Sequence, residues 1–106
     1  MGAELIHESY EGEPLVDASI VLPVFNESGH LEKEIFRIRE SMNASDYTYE
    51  IIVVDDGSTD GSAELLEDID DIRLLRFTTN RGSGSARKYG TLAARGRVVI
   101  WTDVDM

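Results

Sequence analysis

The chain has 106 residues, 42% of them hydrophobic and 29% charged, which is room for one globular domain. It contains no cysteine, which excludes disulfide scaffolds, thiol nucleophiles and Cys-based zinc sites. Its longest apolar runs, Ile51–Val54 and Val98–Trp101, are too short for a membrane-spanning helix within this chain, and a net charge of -11 argues against nucleic acid as a partner.

Residues 1–17 mix acids, glycine and proline without periodicity and read as a flexible acidic leader, with a short docked piece at Leu15 and Val16. The organised part is expected over 18–106. Ile20, Val21, Leu22, Val24 and Phe25 form the first strand candidate, and Asn26 to Gly29 carry turn and cap chemistry. Leu31, Ile35, Ile38 and Met42 recur at the spacing of one helix face.

Glu50 to Val54 is β-branched and apolar on both faces, as a central parallel strand is. The turn Asp55 to Ser62 leads into a short helix through Ala63, Leu65, Leu66 and Ile69. Ile72 to Thr78 reads as a third strand. The glycine-rich turn Asn80 to Ser85 opens a helix over Ala86–Ala94, in which Ala86, Gly90 and Ala93 make a small-residue face. Val98 to Trp101 is a fourth strand. Strand and helix alternating in this way predict an α/β, Rossmann-like parallel sheet of about four strands with helices on its faces.

Ligands of such sheets bind beyond the carboxyl ends of the strands. Those ends carry Phe25-Asn26-Glu27, Asp55-Asp56, Thr78-Thr79-Asn80 and Asp103-Val104-Asp105. In extended chain Asp103 and Asp105 point the same way, and two converging carboxylates suit Mg2+ or Mn2+ shared with phosphate oxygens; a solvated turn is the plain alternative. Asp55 and Asp56 either accept hydrogen bonds from a nucleobase or ribose, or cap the turn and the next helix. Arg81, Arg87, Lys88, Arg95 and Arg97 give 81–97 a charge of +5 while the remainder carries -16. That basic segment, with Gly82 and Gly84 at a helix start, is either an anion site or helix-to-strand packing.

Several motifs are set aside. Asp56 to Glu67 matches acidic positions of a calcium loop, but strand material precedes it where an EF-hand needs a helix. No phosphate-binding P-loop and no nucleophile elbow occurs. His7 and His30 are too far apart in sequence to suggest a metal pair. A receiver-type signalling module needs its acidic pair after the first strand, and a nucleotide-sugar pyrophosphorylase needs a glycine- and arginine-rich loop there; Val24-Phe25-Asn26-Glu27 offers neither.

In series, Ile20 to Glu27 (IVLPVFNE), Tyr49 to Ser62 (YEIIVVDDGSTDGS), Asn80 to Gly90 (NRGSGSARKYG) and Thr102 to Met106 resemble the family-2 glycosyltransferases of GT-A fold, most of all the dolichol- and polyprenyl-phosphate mannosyl- or glucosyltransferases. The resemblance covers residues 18–106. It implies transfer of a sugar from a GDP- or UDP-sugar to an acceptor, either a polyprenyl or dolichyl phosphate or a saccharide. Pro23, Phe25, Glu27, Asp55, Asp56, Arg87 and Asp103 would bind the nucleotide, and Asp103 and Asp105 the Mg2+ or Mn2+. The basic Arg81 to Lys88 segment would lie near the donor edge or meet a lipid phosphate. Saccharide-directed members often carry Ala-Arg-Asn where this chain has Ala86-Arg87-Lys88, which leans towards the lipid-phosphate branch. The resemblance further implies a cytoplasmic protein, with its parent at the membrane face. Catalytic-base and acceptor residues are expected beyond Met106, so the chain alone is expected to bind donor without turnover and, with a sheet edge unpaired, to self-associate.

Overall fold

A computed structural model describes residues 12–103. In chain order the elements are β1 (Val16–Val24), α1 (Leu31–Asn43), β2 (Tyr49–Asp55), α2 (Ser62–Glu67), β3 (Arg73–Arg76), α3 (Ser83–Ala93) and β4 (Gly96–Trp101). All strand pairs are parallel and the sheet order is β3-β2-β1-β4. The expected α/β architecture is therefore present, with different edges. β1 begins at Val16, inside the segment expected as leader, because Asp17 clasps Thr48: the Asp17 carboxylate accepts from the Thr48 amide and hydroxyl, and the Asp17 amide donates to the Thr48 hydroxyl. β3 is shorter than the apolar run suggested, pairing only with Ile52–Asp55 of β2.

The two faces of the sheet carry separate cores. Ile20, Leu22 and Val24 of β1 and Ile51 and Val53 of β2 pack with Leu31, Ile35 and Ile38 of α1 and Leu66 of α2. Val21, Ile52 and Val54 point the other way, onto Ala86 and Ala93 of α3 with Leu75 and Phe77. This strict alternation on strands buried from both sides is what parallel sheets require. The predicted small-residue face of α3 lies on the sheet. A Cβ at Gly90 would stand 2.4 Å from Val21 Cγ1 and 3.2 Å from Val54 Cγ2, so only glycine admits so close an approach.

Below the sheet, Glu50 joins four segments. Its carboxylate accepts from the Ser19 hydroxyl (2.5 Å), the Arg95 amide (2.6 Å) and the Arg73 guanidinium (2.8 Å). Burial raises the pKa of Glu50, but the bonds from Ser19, Arg95 and Arg73 together outweigh it and hold the group below its ordinary value. Ser19 in turn accepts the Gly96 amide, which fixes where β4 starts.

Candidate functional site

The connections over α1 and α2 both step outward on one face, from β1 to β2 to β3. The connection through α3 returns across the opposite face to place β4 on the far side of β1. The helix that follows β1 thus packs on one face and the helix that leads into β4 on the other, so the strand order switches between β1 and β4, where sheets of this kind form a crevice. A cavity of about 400 Å³ lies there, lined by Pro23, Val24, Phe25, Glu27, Asp56, Asn80, Gly82, Ser83 and Asp103. Five of the residues singled out from the sequence, Pro23, Phe25, Glu27, Asp56 and Asp103, meet in it.

Asp55 and Asp56 have different roles, as their environments dictate. Asp56 is buried and holds the loop into α3: its Oδ1 accepts the Arg81 amide (2.7 Å), and its Oδ2 accepts the Gly82 amide (2.9 Å) and Asn80 Nδ2 (3.0 Å). The anion at the basic helix's entrance is thus the protein's own carboxylate. A carboxylate offers about four acceptor sites, so one remains for a ligand donor. Asp55 does not line the cavity. It is 1% exposed, accepts the Ser58 amide at 3.3 Å and stands 3.8 Å from Arg76 Nε, tying the turn to the edge strand. Expected as a ligand to base or ribose, it sits behind Asp56, because successive strand residues face opposite ways. Gly57 (φ 79°) turns the chain just after them; a Cβ there would meet the Asn80 amide nitrogen at 2.6 Å.

The acid-rich turn after β2 grips the loop after β1. Asn26 N donates to Ser58 Oγ (2.9 Å) and Thr59 N returns a bond to Asn26 Oδ1 (2.8 Å). Glu27 N donates to Ser62 Oγ (3.1 Å) and Ser28 N to Asp60 Oδ2 (3.2 Å). Asn26, itself at φ 53°, is thereby fixed and carries Phe25 and Glu27 at the cavity. The hydroxyls and carboxylate that resembled calcium ligands are spent on this clasp, which removes the calcium-loop reading. Asn26, Ser58, Asp60, Ser62 and Asn80 are positioning residues, a role that sequence reasoning did not give them; their concentration in cap-rich turns was the available signal.

On the far wall Asp103 is paired with Arg87, whose Nη2 stands 3.2 Å from Oδ1 and 3.5 Å from Oδ2. The Arg87 guanidinium also lies 5.7 Å from the centroid of the Trp101 ring, and the indole Nε1 donates to Thr91 Oγ1 (3.0 Å). Arg81 faces the rings of Phe77 and Tyr89, 5.3 Å from each centroid, on the outside of the loop. Asp105 lies outside the described residues. Among those described, no three Asp, Glu or His side chains converge closely enough to hold a metal by themselves. The carboxylates of Glu27, Asp56 and Asp103 line one cavity, and carboxylate oxygens are the donors that a hard divalent ion such as Mg2+ or Mn2+ takes, with a ligand's oxygens completing the set. No helix among the described residues is long and apolar enough to cross a membrane.

A parallel sheet with an acidic, loop-walled crevice at its switch point is the build of a nucleotide-binding α/β domain. The model of the family described as "Glycosyl transferase family 2" matches residues 19–106, and the chain belongs to that family. It is 32% identical over 108 residues to a dolichyl-phosphate beta-glucosyltransferase of Drosophila melanogaster, covering 92% of this chain and 33% of that protein. It is 41% identical over 98 residues to an undecaprenyl-phosphate 4-deoxy-4-formamido-L-arabinose transferase of Pseudomonas fluorescens, covering 88% of this chain and 29% of that one. Among solved structures, a mannosyltransferase from Pyrobaculum calidifontis in complex with GDP-Man and Mn2+ superposes with a TM-score of 0.72 at 28% identity, over 94% of this chain and 30% of that one. The chain therefore spans about a third of the length of the curated relatives it matches.

Proposed function

We propose that this chain is the donor-binding part of a glycosyltransferase that moves a sugar from a nucleoside-diphosphate sugar to a polyprenyl phosphate. The observation that carries the reading is the cavity at the β1–β4 switch point, where Pro23, Phe25, Glu27, Asp56 and Asp103 meet. Phe25, 44% exposed at its rim, offers an apolar face to a base or ribose. Asp56 keeps one acceptor site for a base or ribose donor, with Asp55 bracing it from behind. Asp103, with Asp105 beyond it, would hold the divalent ion, and Arg87 would supply positive charge to the diphosphate. When bound, the ion supplies charge neutralisation to the departing nucleoside diphosphate. The chain's own groups bind and orient the donor so that the anomeric carbon faces an acceptor.

The acceptor class rests on the relatives, which are named for dolichyl and undecaprenyl phosphates. A lipid acceptor would set the whole protein at a membrane surface, on the cytoplasmic face. The exposed Val98, Ile100 and Trp101 on β4, which among the described residues pairs only with β1, support self-association of this chain.

Calorimetric titration with UDP and GDP, with and without Mn2+, tests the donor site. One nucleotide is expected to bind in an Mn2+-dependent way, and Asp103→Asn is expected to weaken it about ten-fold, the scale of one lost charged contact. Binding of neither nucleotide, or equal binding by the variant, contradicts the reading.

A further inference from the structure

Arg87 is engaged on three sides in a way that plain surface pairing does not need. Its Nη2 spans both oxygens of Asp103, its guanidinium stacks near the Trp101 ring, and its Nε is buried without a hydrogen-bond partner. Trp101 is itself anchored through its indole N–H to Thr91, one turn further along α3. The Arg87 side chain is 32% exposed and that of Asp103 59%; Asp103 lines the cavity and Arg87 does not, and the pair remains open to exchange. A buried Nε without a partner beside a bonded Nη2 leaves at least one of the guanidinium's five donors unsatisfied.

We infer that Arg87 is the resting counter-ion of Asp103, displaced when a divalent cation binds and then free to turn its guanidinium, Nε included, towards the donor diphosphate. The inference rests on the donor-site reading above and adds to it a coupling between the metal and the arginine. Before the ion arrives, the ion pair keeps the carboxylate extended into the cavity and offsets its repulsion with Asp56 and Glu27, which line the same space. Once the carboxylate is taken by the ion, the arginine loses its partner, and the nearest fresh anion is the diphosphate, which a guanidinium binds in bidentate fashion. The Trp101 platform limits where the guanidinium goes, so the exchange is a short swing about a fixed ring rather than a search. Arg87 is on this account a positioning residue with opposite effects on the two ligands: it competes with the metal and assists the nucleotide.

Trp101 is the chain's only tryptophan, so the exchange has its own reporter. Mg2+ added to the wild-type chain is expected to change Trp101 emission as the guanidinium leaves Asp103, and the change is expected to vanish in Arg87→Gln. By calorimetry, Arg87→Gln is expected to bind Mn2+ alone about two- to five-fold more tightly, the factor an exposed ion pair is worth, and UDP or GDP in saturating Mn2+ more weakly by a similar factor. Arg87→Lys, which keeps the charge, is expected to return the Mn2+ affinity to within about two-fold of wild type. That variant guards against a general loss of folding in Arg87→Gln, which would move both affinities the same way. Arg87→Gln binding Mn2+ no more tightly than wild type, or losing metal and nucleotide together, overturns the exchange while leaving the donor site standing. A wild-type chain that responds to neither metal nor nucleotide overturns the exchange and the donor-site reading with it.

Discussion

Asp60 illustrates how much a single exposed acid does for this fold. It receives the Ser62 hydroxyl (2.5 Å) and amide (3.0 Å) on one oxygen and the Ser28 amide (3.2 Å) on the other, joining the turn after β2 to the loop after β1. The Ser62 hydroxyl bond, with the Ser28 and Ser62 amides, lowers its pKa from 3.8 to about 2. A depressed carboxylate contributes stability that is present above its unfolded pKa and lost as pH falls towards the folded one. Stability is therefore expected to decline between about pH 4 and pH 2 in thermal melts of the wild-type chain, and Asp60→Asn to flatten that part of the profile. An unchanged slope in the variant would assign the acid sensitivity elsewhere. At this scale the sequence made the candidate residues legible but not their division of labour. Asp55 and Asp56 are adjacent and chemically identical, and which of them meets the cavity depends on a loop that begins at Asn80 and has no local signature at residue 55. The same is true of Asp103, whose partner Arg87 lies on another element.

Among the elements, order and faces were readable because periodicity reports burial directly. The i, i+4, i+7 spacing of Ala86, Gly90 and Ala93 in α3 foretold a close-packed helix, and all three are buried on the sheet. Strand starts were harder, because Asp17, Ser19, Gly96 and Arg97 carry no apolar signal. Thr48 holds Asp17, Glu50 holds Ser19 and Ser19 holds Gly96, through contacts 31 to 77 residues apart in sequence. β4 also carries a consequence for behaviour in solution. Its Val98 and Ile100 are 52% and 43% exposed, along a strand that among the described residues has one neighbour. Sedimentation velocity is expected to show mass rising with protein concentration, and Ile100→Lys to hold the chain monomeric, since an edge-strand lysine opposes further pairing. A wild-type monomer at every concentration would contradict this.

For the whole molecule, topology decides where chemistry sits. Strand order β3-β2-β1-β4 doubles back across β1, and the cavity lies at that switch between β1 and β4, among the acidic strand ends. Sequence reasoning set Asn26, Asp56, Asn80 and Asp103 at the sheet edge where the cavity lies, yet did not foresee the crevice, whose shape comes from the clasp between the two turns and from Asp56 holding the 80–82 loop. Membership of the glycosyltransferase family 2 and the geometry of that crevice converge on one central claim, that a nucleoside diphosphate binds between β1 and β4. The most direct test is an amide NMR titration of the ¹⁵N-labelled chain with UDP and GDP in the presence of Mg2+. Shifts are expected to concentrate at Phe25–Ser28, Asp56–Ser58, Arg81–Ser83 and Trp101–Asp103. Shifts centred on the groove between Met42 and Ile100, or no shifts with either nucleotide, would contradict the account.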